Sequence, residues 1–309
     1  MEHIKVFAPA TVANVSCGFD ILGFALDYPG DEIILRKNNS GKIIIKEITG
    51  DNEKLPLDPD KNSASAVIQN FLQYLKLKQG IDIYLNKKMP LGSGLGSSAA
   101  SSVAAAFAIN TLLDSPLNIK EVLKFAMYGE KVACGSEHAD NVAPALYGGF
   151  VLIRSYDPLD IIKLPAPDQL FASVIHPQIE IKTKDARDIL KKEIQLKNAI
   201  KQWGNVGGLI SGLYESDYDL IGRSMEDHII EPIRSILIPG YPEVKNAALK
   251  SGVLGCGISG SGPSVFTLSK GKQTAETAGE KMVEEFKNIG IESDIYVSKV
   301  NNQGPIVLG

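Results

Sequence analysis

One short segment of the chain alternates glycine with other residues and then continues into small residues. It reads PLGSGLGSSAA over residues 90–100, with glycine at Gly92, Gly94 and Gly96. Glycine lets backbone N–H groups approach an anion, and the N-terminus of a helix adds partial positive charge. The alanine-rich run after Ser98 is typical of a helix. The segment therefore predicts a phosphate-binding loop, with a plain Gly-Ser turn as the alternative.

The spacing of this loop excludes two familiar phosphate loops. Walker A requires G-x-x-x-x-G-K-[ST], and no lysine precedes Ser97; the dinucleotide fingerprint requires G-x-G-x-x-G, and here the third glycine comes one residue early. Ser97 and Ser98 allow two interpretations. In the first interpretation, one serine is the N-cap of the following helix. In the second, one hydroxyl helps to hold Mg²⁺ beside a phosphate. Because the serines are adjacent, both interpretations can hold at once.

Glu130 is a candidate metal ligand because of the face on which it falls. In the helix predicted over residues 119–133 it comes four residues after Ala126, on the same apolar stripe as Val122. A carboxylate on a buried stripe is costly unless it is paired or bound to a metal. Mg²⁺ prefers oxygen ligands, so Glu130 and Ser98 are predicted to hold it. The alternative is a buried ion pair with one of the lysines.

Two further polar clusters could bind a small substrate. Asn14 and Asp20 lie in ANVSCGFD, and His138, Asp140 and Asn141 lie close together in SEHADN. Taken alone, the first cluster is typical of an Asx-turn and a lone histidine is usually structural. Both clusters gain weight from the other motifs of the chain.

Arginine is scarce, which makes each arginine a stronger candidate for a specific role. The chain has five: Arg36, Arg154, Arg187, Arg223 and Arg234. The planar guanidinium grips a carboxylate at two points. Arg187 and Arg234 are the candidates for such a clamp, although the polar neighbours of Arg187 are equally typical of an exposed helix.

Composition excludes several classes of protein. The chain has 309 residues and a formal net charge of −4, with no basic stripe that would indicate a nucleic-acid partner. It has no apolar run approaching ~20 residues and no signal-peptide pattern at its start, so we expect a cytoplasmic protein without a membrane partner. The three cysteines, Cys17, Cys134 and Cys256, lack metal-ligand spacing.

The elements that must position these side chains are a mixture of strands and helices without strict alternation. Periodicity predicts strands at 31–37 and 42–48, a strand within 80–90 that leads into the loop, helices beginning near Ser63 and Ser98, and a helix capped by Asn118. This pattern favours an α+β fold over a doubly wound sheet. The proline- and aspartate-rich segment 156–169 suggests a boundary, and we place two domains at 1–160 and 161–309.

Several segments, in this order, resemble motifs of the GHMP kinases. They are APATVANVSCGFDILGFAL (8–26), PLGSGLGSSAA (90–100), SEHADNVAPALYGG (136–149), TKDAR (183–187), EPIRSILIPG (231–240) and GCGISGSGPSVFTL (255–268). The resemblance is greatest to the branch of the family that acts on L-homoserine. It implies an N-terminal domain carrying the phosphate loop, a ferredoxin-like C-terminal domain, and transfer of phosphate from Mg·ATP to a hydroxyl group in threonine biosynthesis.

The resemblance also assigns roles to residues of this sequence. ATP binding is implied for Asn62, Lys87, Pro90, Leu91, Gly92, Ser93, Gly94, Leu95, Gly96, Ser97, Ser98, Ala99 and Ala100. Mg²⁺ binding is implied for Ser98 and Glu130. Substrate binding is implied for Asn14, Asp20, His138, Arg187, Arg234, Gly260 and Ser261.

Catalysis is implied for Asn141, Asp140 and His138. Asn141 would orient the reacting hydroxyl. Asp140 would be a general base, or the reaction would depend on positioning and charge neutralisation alone. The family further suggests a homodimer. Two alternatives remain: another small-molecule kinase of the family, or a catalytically silent nucleotide-binding regulator with the same fold.

Overall fold

The computed structural model describes residues 1–135 and 137–308. Its strands are, in order, β1 (His3–Ala13), β2 (Leu22–Asn38), β3 (Ile43–Thr49), β4 (Gly80–Asn86), β5 (Phe150–Tyr156), β6 (Leu159–Leu164), β7 (Leu170–Pro177), β8 (Gly255–Ile258), β9 (Val265–Lys270), β10 (Ser293–Lys299) and β11 (Ile306–Val307). Its helices are α1 (Ser63–Tyr74), α2 (Ser97–Leu112), α3 (Ile119–Cys134), α4 (Ala139–Tyr147), α5 (Thr183–Asp188), α6 (Leu196–Glu215), α7 (Tyr218–Ser224), α8 (Glu231–Arg234), α9 (Tyr241–Lys250) and α10 (Lys272–Asn288).

The first sheet carries the phosphate loop. Its strands lie in the order β11-β1-β2-β4-β3, and β5 pairs with the early part of β2 and with β6. The strand that leads to the loop, β4, is antiparallel to β2 and parallel to β3. The predicted turn over residues 38–41 therefore joins strands that do not pair with each other, because β4 lies between them.

Helix α2 runs through the interior of the N-terminal half. It packs on β1 and β2 and contacts α1, α3 and α4. Its sequence, SSAASSVAAAFAINTL, supplies small side chains on every side, and nearly all of them are buried. Small residues allow neighbouring elements to approach closely from all directions, so α2 is fixed along its length and its N-terminus opens at one end of the sheet.

The second sheet is antiparallel, with the order β10-β7-β9-β8. Helices α9 and α10 pack on one face of it and form a core with Ile175 and Val265. The residues that alternate with these, Val174 and Phe266, face the large core of the first sheet. The expected α+β architecture is confirmed, and one continuous apolar core extends from the first sheet onto the second.

The division at residue 160 remains a prediction. The first sheet continues to Leu164, because β6 pairs with β5, and the chain returns to it at β11, which pairs with β1. The segment 156–169 was expected to be a boundary and contains strand β6 instead. Its prolines mark the ends of the strand, since Pro158 precedes it and Pro165 follows it.

Most of the predicted elements are confirmed, including the start of α1 at Ser63 and the N-cap Asn118, which forms a full capping box. The sequence did not reveal α4, whose polar first turn and Pro144 obscured its period. Helices α6 and α7 are separated at Ser216, which adopts a left-handed conformation.

Candidate active site

The phosphate loop ends in an uncapped helix. Gly96 is the N-cap of α2 and has φ 68°, a left-handed conformation that favours glycine, and no side chain accepts from the first turn. The expectation that one of the two serines caps the helix is therefore wrong, because α2 already begins at Ser97. The hydroxyl of Ser97 is buried without a hydrogen-bond partner. These first-turn donors suit an anion.

The two glycine-rich segments are packed against each other. Ser259 Oγ donates to the carbonyl of Gly94 at 2.7 Å. The amide of Ser264 donates to the carbonyl of Ser93 at 3.3 Å. A Cβ on Gly94 would lie 2.5 Å from the carbonyl oxygen of Ser259. The two segments therefore lie in direct contact. The hydroxyl of Ser259 donates within this contact and not into the cavity.

Glu130 lies beside the loop and is almost fully buried. Ser98 Oγ donates to its Oε2 at 3.1 Å, while Oε1 has no hydrogen-bond partner among the described residues. Burial raises the pKa of Glu130 to about 7, against the hydrogen bond from Ser98. The alternative of a lysine ion pair fails among the described residues, where no salt bridge includes Glu130. An orphaned carboxylate oxygen beside a serine hydroxyl fits a Mg²⁺ ion that also binds phosphate and water.

Helix α4 brings the histidine cluster to the same place. His138 is its N-cap residue, and Asp140 and Asn141 lie in its first turn. Burial raises the pKa of Asp140 to about 7, and the neighbouring carboxylate of Asp20 acts in the same direction. Burial and the Arg187 guanidinium lower the pKa of His138, so the imidazole is neutral at physiological pH. Asn141 Oδ1 accepts from Thr11 Oγ1 at 2.7 Å.

Asp20 and Arg187 form a bidentate ion pair across the mouth of the cavity. Nη1 and Nη2 of Arg187 donate to the two carboxylate oxygens of Asp20 at 3.0 and 2.8 Å. Both side chains are only partly buried, with 39% and 28% of the arginine and aspartate side chains exposed. The sequence predicted these residues to bind opposite ends of a substrate; here each neutralises the other.

Arg234 lies deeper and is held by backbone carbonyls. Its Nε donates to Ala186 at 3.0 Å and its Nη1 to Gly260 at 3.1 Å. Burial lowers its pKa to about 10, and the positive charge of Arg187 adds to this effect. The ring of Phe19 lies against both guanidinium groups, with its centroid 4.9 Å from Cζ of Arg234 and 5.5 Å from that of Arg187.

Asn14 connects the substrate segment to the second glycine segment. Its Nδ2 donates to the carbonyl of Gly260 at 2.6 Å, and its Oδ1 accepts from the amide of Asp20 at 3.0 Å. Gly260 in turn donates from its amide to Ala13 at 3.1 Å. Asn14 therefore shapes the loop that carries Asp20, and its φ of 72° fits the left-handed conformation that asparagine tolerates.

One cavity of about 170 Å³ joins these groups. It is lined by Asn14, Asp20, Leu91, Gly92, Ser93, Gly94, Gly96, Ser97, Ser98, Glu130, Cys134, His138, Asp140, Asn141, Thr183, Arg187, Arg234, Gly260 and Ser261. Pockets for drug-sized ligands are usually about 300–1,000 Å³, so this one suits a smaller molecule. A larger cleft of about 590 Å³, between residues 191–198 and 228–233, contains neither glycine segment.

Six of the residues implied for ATP binding do not line this cavity: Asn62, Lys87, Pro90, Leu95, Ala99 and Ala100. Asn62 caps α1, accepting from the amide of Ala64 at 3.0 Å. Lys87 is buried in an ion pair with Asp31. The side chains of both residues are engaged within the protein, and a direct contact of either with ATP remains a prediction.

Sequence reasoning missed residues that hold the site together. Tyr156 Oη donates to the carbonyl of Asp20 at 3.1 Å and accepts from the amide of Ala139 at 3.4 Å, joining two substrate segments. Thr11 positions Asn141, and Asp31 holds Lys87. None of these lies in a polar cluster of the sequence, so spacing offered no signal for Tyr156 or Asp31. Thr11 does lie inside the first resembling motif.

The described residues, 1–135 and 137–308, contain no group of three or more histidine, cysteine, aspartate or glutamate side chains arranged to hold a metal ion. A Mg²⁺ ion at Glu130 would thus depend on phosphate oxygens for further ligands. None of the described helices combines the length and the apolar character needed to cross a bilayer.

Family models match both halves of the chain. Residues 62–149, from the N-cap of α1 to the end of α4, match the N-terminal domain of the GHMP kinases. Residues 209–288 match the GHMP kinase C-terminal domain. The fold and the glycine loop at the mouth of α2 define a phosphotransferase of this class.

Individual relatives show to which branch of the GHMP kinases the chain is similar. A homoserine kinase of Chlorobium phaeobacteroides is 51% identical over the full length of both chains, and one of Methanococcus maripaludis is 42% identical over 87% of this chain and 89% of its own. The crystal structure of homoserine kinase from Cytophaga hutchinsonii is 60% identical, with a TM-score of 0.97 over 100% of this chain and 98% of that one. The chain belongs to the homoserine kinase family of GHMP kinases.

Proposed function

We propose that this protein transfers the γ-phosphoryl group of ATP to the side-chain hydroxyl of L-homoserine, giving ADP and O-phospho-L-homoserine for threonine biosynthesis. The observation that carries the proposal is one cavity whose lining includes both the residues of the predicted phosphate loop and the Asp20–Arg187 pair. The full-length relatives named homoserine kinase support the same reaction.

The part of the cavity formed by the glycine loop and the first turn of α2 suits a negatively charged phosphate group. The uncapped first turn of α2 and the loop amides would bind the phosphate oxygens of ATP. Ser98 and Glu130 would hold Mg²⁺, which neutralises charge on the transferring phosphate. Because the orphaned oxygen of Glu130 lies inside the cavity wall, the ionised carboxylate gains a partner when the metal nucleotide binds.

The part of the cavity formed by Asp20, Arg187 and Arg234 suits a zwitterionic substrate. L-Homoserine carries an ammonium and a carboxylate, the two charges that the Asp20–Arg187 pair already matches. We propose that the substrate inserts between them, its ammonium meeting Asp20 and its carboxylate meeting Arg187 and Arg234. Each ion that loses its protein partner then gains a substrate partner. A molecule that lacks either charge would leave one side chain of the pair without a counterion, which costs binding free energy.

The reacting hydroxyl would lie near the N-terminus of α4. Asn141, held by Thr11, would orient it, and the neutral His138 would border it. A pKa of about 7 suits Asp140 to accept the hydroxyl proton near neutral pH. The alternative is that the proton leaves towards a phosphate oxygen while Asp140 only organises its neighbours.

The test is a coupled assay for ADP release with a panel of alcohols. L-Homoserine should be used far better than its carboxamide, than 4-hydroxybutyrate, which lacks the ammonium, and than mevalonate. Arg187→Ala should lower kcat/KM for homoserine by about tenfold to a hundredfold, since a hydrogen bond to a charged group is worth about 1.5–3 kcal/mol. Its preference for the carboxylate over the carboxamide should largely disappear.

Arg154→Ala is the matched control, because Arg154 forms an exposed ion pair with Asp160 outside the cavity. It should behave as the unmodified protein. If the protein prefers another alcohol of the panel, its substrate is that of another GHMP kinase and not homoserine. Absence of ADP release with every alcohol, despite ATP binding, would indicate the catalytically silent regulator.

We also propose a homodimer located in the cytoplasm, where ATP is available. Support for self-association comes from one face of α6, on which Leu196, Ile200 and Trp203 leave between 52% and 69% of their surface exposed. Light scattering at several concentrations tests this: a monomer throughout would contradict the dimer.

A further inference from the structure

A buried ion pair lies directly behind the phosphate loop. The side chains of Lys87, just after β4, and Asp31, in β2, are 1% and 0% exposed and contact each other through Nζ and Oδ2. Lys87 Nζ also donates to the carbonyl of Ser97 and to Ser101 Oγ, each at 2.8 Å. An ammonium has three protons to donate, so all of them are used inside the protein.

Both carboxylate oxygens of Asp31 are also hydrogen-bonded within the protein. Its Oδ1 accepts from the amide of Lys88 at 3.0 Å, and its Oδ2 accepts from Ser101 Oγ at 3.0 Å. Replacing a buried ion pair by neutral groups of similar volume is often neutral or stabilising. Stability alone therefore does not account for a pair at this place, and its contacts point to another role.

Those contacts converge on the first turn of α2. Ser97 is the first residue of the helix, and the carbonyl that Lys87 holds belongs to the planar peptide that Ser97 shares with Ser98. In a trans peptide the N–H points opposite to the C=O, so fixing this carbonyl aims the N–H of Ser98 out of the helix N-terminus. The same residue carries the hydroxyl that donates to Glu130.

We propose that Lys87, locked by Asp31, is a positioning residue that holds the first turn of α2 in the geometry that binds the phosphates of ATP. The inference rests on the proposed ATP-dependent function. It gives Lys87 an indirect part in ATP binding, through the helix and not through a contact of its side chain with the nucleotide. The positive charge of Lys87 has a second effect at the site: burial raises the pKa of Glu130, and Lys87 acts in the opposite direction.

The test is the double variant Asp31→Asn/Lys87→Met, which removes both charges and keeps similar volumes. Its thermal midpoint should stay close to that of the unmodified protein. Its affinity for Mg·ATP, measured by calorimetry, should fall roughly tenfold, the loss expected for one charge-assisted hydrogen bond. The KM for homoserine should change little, because neither Asp31 nor Lys87 forms a hydrogen bond with its proposed ligands Asp20, Arg187 and Arg234 among the described residues.

The matched control is Glu32→Gln/Lys88→Met. This ion pair occupies the next residue on each segment and is partly exposed, and among the described residues neither side chain forms a hydrogen bond or an ion pair with α2. It should leave the affinity for Mg·ATP unchanged.

Equal ATP affinity in the Asp31→Asn/Lys87→Met protein and the unmodified one would overturn the inference, as would an equal loss of ATP and homoserine binding. If that double variant does not fold, Ser101→Ala decides, because it removes the hydroxyl that bridges Lys87 and Asp31 without changing charge. It should raise the KM for ATP alone, and an unchanged KM for ATP overturns the inference. Failure of the unmodified protein to bind ATP would instead count against the proposed function.

Discussion

Glu130 illustrates, at the scale of one residue, how a protein retains a side chain that its own interior does not stabilise. The carboxylate is buried, has one hydrogen bond from Ser98 and leaves one oxygen without a partner. Folding raises its pKa from 4.5 to about 7, so the folded protein binds a proton there that the unfolded chain releases. The resulting stability is present below about pH 4.5 and is lost as the pH rises through about 7.

Glu130→Gln should therefore stabilise the protein in the absence of nucleotide, and more so at pH 8 than at pH 5. A shift of this size corresponds to roughly 3 kcal/mol at pH 8, at about 1.36 kcal/mol per pKa unit. Denaturant unfolding at the two pH values measures this. The same variant should require more Mg²⁺ for turnover and leave homoserine binding nearly unchanged. A variant that is less stable than the unmodified protein at pH 8 would show that the carboxylate has a partner in the folded state.

Asp140 allows a second experiment at this scale. If Asp140 is a general base, its ionised form is the active one, and kcat should rise with pH through about 7. Asp140→Asn should then lower kcat by roughly 10²–10⁴-fold and remove that limb of the profile. Saturating Mg·ATP is required, so that bound metal keeps Glu130 ionised. A mild loss with an unchanged profile would assign Asp140 to the positioning of His138 and Asn141.

At the scale of elements, the phosphate loop depends on the contact between two glycine-rich segments. Gly94 has φ 77° and lies against the carbonyls of Ser259 and Gly262. A side chain there would displace the second segment, which also anchors Arg234 through Gly260. A valine or alanine at Gly94 would thus act by moving the loop, since the space next to this glycine is occupied by protein.

Gly94→Ala should weaken ATP binding by more than about tenfold. Gly290→Ala is the control, because Gly290 has φ 78° and open space around the position of a Cβ. Both variants bear the strain of a left-handed alanine, about 1–2 kcal/mol, and only Gly94→Ala adds the clash. Calorimetric titration with ATP, together with melting curves, separates the two effects. Equal ATP affinities in the two variants would show that the contact between the segments is not needed for binding.

At the scale of the whole molecule, the two sheets share one apolar core. Phe24 of the first sheet lies 5.9 Å from Phe266 of the second, measured between ring centroids, in an edge-to-face contact. The chain also crosses back at its end, where β11 pairs with β1. The proposed substrate-binding groups come from both halves, since Arg187 and Asp20 are 167 residues apart in the sequence.

A fragment of residues 1–160 should therefore fail to fold as an independent unit, although the sequence suggests a domain boundary at this position. It would lose most of β6, all of β11 and the apolar cover supplied by the second sheet. The full chain should unfold in a single cooperative transition. Near-ultraviolet circular dichroism and ATP titration of the fragment test this: a native spectrum with ATP binding would mean that the N-terminal half is autonomous.

The sequence by itself determined features that depend on near neighbours. The alternating glycines before an alanine-rich run predicted the loop and α2, the N-cap Asn118 predicted the start of α3, and the apolar stripe placed Glu130 on a buried face. Each signal arises within about two helical turns, where residue type and spacing decide the backbone.

Only the tertiary structure decided which of those side chains meet. Asp31 and Lys87 are 56 residues apart, and Gly94 and Ser259 are 165 apart. Their contacts follow from strand order and from the packing of the two sheets, which no local pattern contains. That is why the sequence did not show that the side chain of Lys87, which the resemblance implies binds ATP, is buried against Asp31. It is also why no local pattern showed that Asp20 and Arg187, which are proposed to bind opposite charges of a substrate, form an ion pair with each other.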